Sequence, residues 1–413
     1  MIDNSPEHVV VVGSGLAGLR ACQALRSRFF SGKITLIGAE QRLPYDRPPL
    51  SKGFLQGKQA EAEIGLISEQ ELADLDLAFY RGVNASQLDL ALQQVVLSNR
   101  ENIKFDRLIL ATGSYNRRLP IPGIDLEGVF SLRTLDDAVA LRATAEAAAH
   151  IVIIGAGFIG CEVAASLSGG DGHRHIDVVE ALDVPLKHVC GPEVGIAIQR
   201  LHETHGVRIF TNASVAMLQG DGHVERVVLT DGRTLSADLV IVAVGAAPAI
   251  EWLRDLPFVS RAGVEVDASL QTPHPNVYAI GDIARFPDPL TGQLIRVEHW
   301  EVARAQGLHV AGIITQGPQP YRTVPYFWSD QYDRSFQYVG HATQWDRVIV
   351  RGDLDTWDFL AFYVYQNRLL AILACGRTRE FRFARQLVER QIAVDLDALP
   401  HASVDLRQLA ARG

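Results

Sequence analysis

The sequence is short of cysteine: four residues in 413, Cys22, Cys161, Cys190 and Cys375, lie far apart with no C-x-x-C spacing. That pattern suggests neither a zinc site nor a redox-active dithiol, and buried, reduced thiols are expected. Long apolar runs are also missing, because a membrane span needs roughly 18 apolar residues in sequence. The longest run covers about a dozen residues from Leu239 to Ile250 and is interrupted by Gly245 and Pro248, so no transmembrane role is expected. The net charge is −9, with no overall excess of basic residues. A chain so balanced does not advertise the concentrated basic surface that phosphate backbones require, and nucleic acid is not an expected partner. Met1 to His8 holds no basic segment and leads straight into Val9-Val10-Val11-Val12. This is not the design of a secretory signal, and a cytoplasmic protein is the expectation.

What is present is the material of a folded enzyme: 47% hydrophobic residues, 21% charged residues and 35 glycines. This is enough apolar content for a substantial core, and the length suggests two or three domains. The most informative feature is a pattern that occurs twice. The strand-like Val9–Val12 precedes Gly13-Ser14-Gly15-Leu16-Ala17-Gly18, a helical stretch through Arg28, and a strand from Lys33 to Ile37 that leads to Glu40. About 140 residues later, Ile151–Ile154 precedes Gly155-Ala156-Gly157-Phe158-Ile159-Gly160, a helical stretch through Leu167, and a strand from Ile176 to Val179 that ends at Glu180. Each is a βαβ unit with a dinucleotide-binding loop. The first glycine makes the tight turn, the second lets backbone approach a diphosphate, and the third lets helix and strand pack closely. The diphosphate then sits on the helix N-terminus, where unpaired amides and the helix dipole favour negative charge. Glu40 and Glu180 fall 22 and 20 residues after the third glycines, the spacing at which a carboxylate accepts from adenosine ribose hydroxyls. Glu180 would also repel a 2′-phosphate, so the second loop should prefer NADH to NADPH.

Two strand-and-turn segments, Leu108 to Gly113 and Leu239 to Gly245, bracket the second βαβ unit, and the Pro-rich Leu119–Gly123 reads as a linker. Of the chain's 31 aromatic residues, 14 lie beyond position 323, a shift that marks a separate C-terminal domain. Strands are expected there around Phe336–Gly340, Val348–Gly352, Asp358–Tyr365 and Leu369–Ala374, followed by a helix over Arg379–Ile392. The expected architecture is α/β: two Rossmann-like dinucleotide-binding domains plus a C-terminal α+β domain. The boundaries are 1–116 with 247–323, 117–246, and 324–413.

Four further motifs carry a family resemblance: Pro44-Tyr45-Asp46-Arg47-Pro48-Pro49-Leu50-Ser51-Lys52, Ala111-Thr112-Gly113, Val277-Tyr278-Ala279-Ile280-Gly281-Asp282 and Phe327-Trp328-Ser329-Asp330-Gln331. With the two glycine loops, they make the chain resemble the FAD-dependent, NADH-oxidising ferredoxin reductases of bacterial oxygenase systems, within the glutathione-reductase-like flavoproteins. The resemblance runs along nearly the whole chain. It implies that Gly13, Gly15, Leu16, Ala17, Gly18 and Glu40 bind the adenosine half of FAD, that Ala111, Thr112 and Gly113 close over it, and that Asp282 accepts from its ribityl chain. It implies that Gly155, Gly157, Phe158, Ile159, Gly160, Glu180 and Gly245 form the NADH site. Arg47 and Lys52 would lie near the isoalloxazine ring, where a cation stabilises the electron-rich reduced flavin. Glu162 would face the flavin and pair with Lys52, and Trp300 and Trp328 would be aromatic neighbours of the ring.

Disulfide reductases of this class carry a C-x-x-x-x-C pair in the first domain, and the peroxidase and oxidase relatives carry one reactive cysteine there. This sequence has neither between Glu40 and Phe105. The implied reaction is hydride transfer from NADH to FAD, followed by single-electron transfer to a ferredoxin, a two-iron one, that serves an aromatic-ring dioxygenase or a haem monooxygenase. No ligand spacing for a cluster or metal of the chain's own occurs. Monomer and homodimer both remain open. A docking surface for an acidic ferredoxin is expected at Arg377, Arg379, Arg382, Arg385 and Arg390, which are opposed only by Glu380 and Glu389. Two departures from the family pattern stand out: the Gly- and His-containing loop Ser168–His175, read as solvated, and the absence of an arginine shortly after Glu180. Alternatives at this level are a rubredoxin reductase, an NADH dehydrogenase using quinone, and a slowly turning-over redox sensor.

Overall fold

The computed structural model describes residues 6–169 and 174–411. The loop that carries His173 therefore lies in part outside the described residues. The chain forms two compact units: one is built from residues up to Asp46, Ala62–Tyr115 and Ala247–Pro325, and the other from Arg47–Glu61, Asn116–Ala246 and the residues from Tyr326 onward.

The first unit is organised on a five-stranded parallel sheet in the order Val277–Ala279, Arg107–Leu110, His8–Val12, Lys33–Gly38 and Ala78–Arg81. Val9 to Val12 can be an unbroken apolar run because a central parallel strand is covered on both faces, and all four valines are buried. The right-handed crossover helix Leu16–Ser27 joins the first two strands and packs against the helix Trp300–Gln316. Gly307 permits that contact, since a side-chain carbon there would come 2.5 Å from the Ala17 carbonyl oxygen. Arg26, in the last turn of the first helix, donates to the carbonyls of Phe30, Gly32, Leu75 and Asp76 at 2.6 to 2.8 Å. One fixed guanidinium fork thus ties the chain that follows its own helix to the turn at Leu75–Asp76.

The second unit repeats the plan. Its parallel sheet runs Arg208–Phe210, His175–Val179, His150–Ile154, Leu239–Val242 and Val129–Phe130, with the helix Phe158–Leu167 as its first crossover. The helix Lys187–Thr204 bends at Gly191, whose φ is 76°, and restarts at Pro192, where proline suits a first helical turn. The C-terminal part is a five-stranded antiparallel sheet in the order Tyr326–Gln331, Arg334–Gly340, Arg368–Cys375, Asp358–Tyr365 and Arg347–Asp353. The helix Thr378–Glu389 covers it with Phe381, Ala384, Leu387 and Val388; it ends three residues before the expected Ile392. Arg351, almost fully buried, donates to the carbonyls of Leu399, His401, Ala402 and Val404 and pairs with Glu380, which ties the C-terminal tail to the sheet.

Candidate functional site

The two glycine loops share one geometry. A Cβ on Gly13 would land on the carbonyl oxygen of Ala111, and one on Gly155 would lie 2.5 Å from that of Ala243. Each first glycine, at φ +116 and +102, therefore rests on the turn that follows the neighbouring strand. Gly18 and Gly160 sit against the carbonyl oxygens of Gly13 and Gly155 with no room for a side chain. Gly15 and Gly157 differ, for a Cβ on either would meet nothing within 4 Å. Two glycines of each loop thus face protein and one faces open space, at the N-cap of a helix with no side-chain cap. This arrangement fits a dinucleotide diphosphate: backbone amides stay unblocked, and the ligand can approach the main chain closely.

In the first unit, Ala111, Thr112 and Gly113 adjoin Gly13, and the Thr112 hydroxyl donates to the Ala249 carbonyl at 2.9 Å. Gly281 abuts Ala17, which brings Asp282 to the same loop, and the Ser114 hydroxyl donates to the Asp282 carboxylate at 2.8 Å. Gln306, fully buried, accepts the Gly281 amide at 2.7 Å and holds that turn. The Tyr45 hydroxyl donates to Glu40 at 2.6 Å, and the Trp300 indole donates to Asp46 at 2.6 Å. The nine-residue motif is divided: Pro44–Asp46 belongs to the first unit and Arg47–Lys52 to the second.

In the second unit, Glu180 accepts the amide of Ala156 at 2.7 Å on one oxygen and that of Leu182 at 2.8 Å on the other. The carboxylate is thereby held beside the second glycine loop, with lone pairs left for ribose hydroxyls. Gly245, exposed at φ +91, lies in the turn after Leu239–Val242 that supports Gly155. Ile159, in the second glycine loop, is exposed, and Phe158 packs edge-on to Phe327 at 4.8 Å. Arg47 donates to the Arg133 carbonyl at 2.6 Å.

The densest chemistry surrounds Glu162. Phe158, Glu162 and Ser166 fall four residues apart and therefore share one face of their helix. That face meets alternate residues of the strand Tyr326–Gln331: Phe158 touches Phe327, and Ser329 donates to Glu162 at 2.6 Å. The other Glu162 oxygen accepts Ser51 at 2.6 Å and pairs with the Lys52 ammonium at 2.8 Å. Ser166 donates to the Ser51 carbonyl at 2.7 Å and fixes the backbone there. The expected Lys52–Glu162 pair thus forms, while Ser51, Ser329 and Ser166 are partners that sequence reading missed. Trp328 is half-buried and stacks with Tyr326 at 6.5 Å.

All four cysteines are free and buried. Burial pushes the Cys22 thiol up to about 12 and the Cys375 thiol to about 11, and raises Cys161 and Cys190 as well, so none is poised as a thiolate nucleophile. Among the described residues no cluster of His, Cys, Asp or Glu has the makings of a metal site, and no helix is long and apolar enough to cross a membrane. Of the five arginines expected to form a docking face, Arg377 is occupied by Asp358 and Glu380, and Arg385 by Glu389 and the Tyr326 ring. Arg379, Arg382 and Arg390 are exposed and make no ion pair among the described residues.

Comparison with known proteins agrees along the whole chain. The pyridine nucleotide-disulphide oxidoreductase family model matches residues 7–307, and a reductase C-terminal model matches 326–410. Rhodocoxin reductase of Rhodococcus erythropolis is 36% identical over 409 residues, covering 98% of this chain and 94% of that protein. The ferredoxin–NAD(+) reductase component of the biphenyl dioxygenase system of Paraburkholderia xenovorans is 34% identical over 402 residues, covering 97% and 98%. The solved covalent complex of putidaredoxin reductase with putidaredoxin contains a chain that superposes with a TM-score of 0.95 at 33% identity, covering 99% of both chains.

Proposed function

The chain belongs to the pyridine nucleotide-disulphide oxidoreductase family and is an FAD-dependent oxidoreductase that uses NAD(H), and from that premise we propose that it is the NADH:ferredoxin reductase of an oxygenase system. Its functional domains are 1–116 with 247–323 for FAD, 117–246 for NADH, and 324–413 for the partner side. FAD, when bound, takes hydride from NADH and returns the electrons one at a time to a two-iron ferredoxin.

The residues have distinct tasks. Gly13, Gly15 and Gly18 hold the FAD diphosphate, Glu40 its adenosine ribose, and Asp282, steadied by Ser114, the ribityl chain. Gly155, Gly157, Gly160 and Glu180 hold NADH, and Glu180 turns away a 2′-phosphate. Lys52 supplies a cation at the flavin and Glu162 fixes its position; orientation of donor and acceptor carries most of the catalysis, and no general acid or nucleophile is needed. The exposed cations Arg379 and Arg382 steer an acidic ferredoxin.

The observation that carries this reading is the combination of two open dinucleotide cradles with a Lys52 ammonium paired to the buried Glu162 carboxylate and four inert thiols. A chain so equipped has no cysteine pair to reduce and must deliver electrons outward. Anaerobic stopped-flow of the yellow holoprotein tests it: NADH should bleach the flavin rapidly and NADPH slowly, and an added two-iron ferredoxin should restore the colour as the ferredoxin itself is reduced. Bleaching without ferredoxin reduction would move the acceptor elsewhere. Failure of NADH to bleach would end the enzyme reading.

A further inference from the structure

Glu162 is the end of a longer buried chain of polar groups that the proposed reaction does not itself require. Ser329 donates to Glu162 at 2.6 Å, Gln331 Nε2 lies 3.4 Å from the Ser329 hydroxyl, His202 Nε2 lies 3.1 Å from Gln331 Oε1, and the Tyr332 hydroxyl lies 2.9 Å from His202 Nδ1. Glu162, Ser329, Gln331 and His202 are all at most 5% exposed. Ser329 and Gln331 belong to one face of the strand Tyr326–Gln331, and His202 belongs to the last turn of the helix Lys187–Thr204.

Valence fixes the direction of every bond. A carboxylate paired with Lys52 only accepts, so the Ser329 hydroxyl donates to it. The lone pairs of Ser329 then take the Gln331 amide N–H, which leaves Gln331 Oε1 as an acceptor. His202 must therefore carry its proton on Nε2, and its bare Nδ1 accepts the Tyr332 hydroxyl. Burial acts in the same sense, because it holds the imidazole neutral, with its pKa lowered to about 4. Bonds aligned head to tail in a medium of low dielectric strengthen one another.

We propose that His202 is a positioning residue for Glu162, acting through Gln331 and Ser329, so that the tautomer of a histidine without direct contact to Glu162 fixes the orientation of the carboxylate that holds Lys52. This rests on the reading of Lys52 and Glu162 as the groups at the flavin. The chain itself does not depend on that reading and is measured separately.

The test has two arms, both on the full-length FAD-loaded protein. Histidine-ring nitrogen NMR at about pH 7, with the resonance assigned by its loss in His202→Gln, should show a neutral ring protonated on Nε2. Its shifts should move in Ser329→Ala and in Glu162→Gln, although neither residue touches the ring. Stopped-flow bleaching at saturating NADH should slow about tenfold in Ser329→Ala and about threefold in Gln331→Leu, with the half-saturating NADH concentration unchanged. Ser329→Thr should restore the rate, and in the Glu162→Gln background neither Ser329→Ala nor Gln331→Leu should add anything. A ring protonated on Nδ1, or ring shifts indifferent to Ser329 and Glu162, would overturn the chain. Unchanged bleaching in both variants, or an equal slowing with Glu162 replaced, would overturn the positioning role. If NADH failed to bleach the wild type, the proposed function would fall while the NMR arm still decided the chain.

Discussion

The two dinucleotide loops are nearly superimposable in their logic, and they differ in the helix that each one opens. In both, the first and third glycines are pressed against carbonyl oxygens and the second opens outward. Seven residues past the first glycine the resemblance stops: Arg20 reaches Gln23 on its own helix at 2.7 Å, whereas Glu162 gathers Ser51, Lys52 and Ser329. The loops offer main-chain geometry that suits any dinucleotide. The distinguishing chemistry of the second unit is thus placed on side chains, beginning two residues past the last glycine of the loop.

The largest effects should come from breaking the loops themselves. Gly18→Ala forces a Cβ onto the Gly13 carbonyl and should cost on the order of 3 kcal/mol or more of stability and yield protein without FAD, read by thermal unfolding and visible absorbance. Gly160→Ala should instead retain yellow colour and lose NADH-dependent bleaching. Gly15→Ala and Gly157→Ala, which meet no protein atom, should stay within about 1 kcal/mol of the wild type in stability. Each should nevertheless weaken its own dinucleotide at least tenfold in direct titration.

Next is acid sensitivity, which burial confers on both units through His8 and His202 and which should be larger in the second. His202 is neutral when folded, with a pKa lowered from 6.5 to about 4 by burial, so between those values the unfolded chain binds the extra proton. Stability therefore falls as pH drops from 6.5 toward 4, by up to about 3 kcal/mol, and levels off below. Thermal midpoints measured across that range should slope for the wild type and flatten for His202→Gln.

A smaller effect is expected at Glu180, where Glu180→Gln keeps an acceptor for one backbone amide and removes the charge. The ratio of NADH to NADPH efficiency should fall by roughly tenfold, whereas Glu40→Gln should leave it unaltered. The smallest is at the exposed arginines: Arg379→Glu with Arg382→Glu should raise the Michaelis constant for ferredoxin severalfold at low salt and vanish at high salt, with NADH bleaching unaffected.

The loops were legible because glycine spacing encodes backbone shape locally, and within a βαβ unit each strand, turn and helix lies next to the others in sequence. Of the five strands of the C-terminal sheet, Tyr326–Gln331 reads as a motif and not as a strand, whereas the other four were legible as local runs as well. The surroundings of Glu162 were not. Ser51 lies 111 positions from Glu162 and Ser329 lies 167, and no local period links them. Ser329 and Gln331 stand in the polar run Ser329-Asp330-Gln331, yet both are buried and their polarity is met by Glu162 and His202. His202 gave no signal in the sequence, because its partner Gln331 lies 129 positions away and no local pattern links them. Of the five arginines from Arg377 to Arg390, charge counting could not show that two were already occupied.

The division of the chain between its two units has a consequence in time. A ribosome delivers the strand Arg107–Leu110 about 170 residues before its sheet neighbour Val277–Ala279. At roughly 5–20 residues per second, that gap lasts on the order of ten seconds or more. Throughout it, the edge of the nascent sheet has its hydrogen-bonding groups unmet, and the residues from Asn116 to Ala246 emerge in the interval. The nascent protein should therefore depend on chaperone shielding during synthesis to a degree that its stability once complete does not reveal.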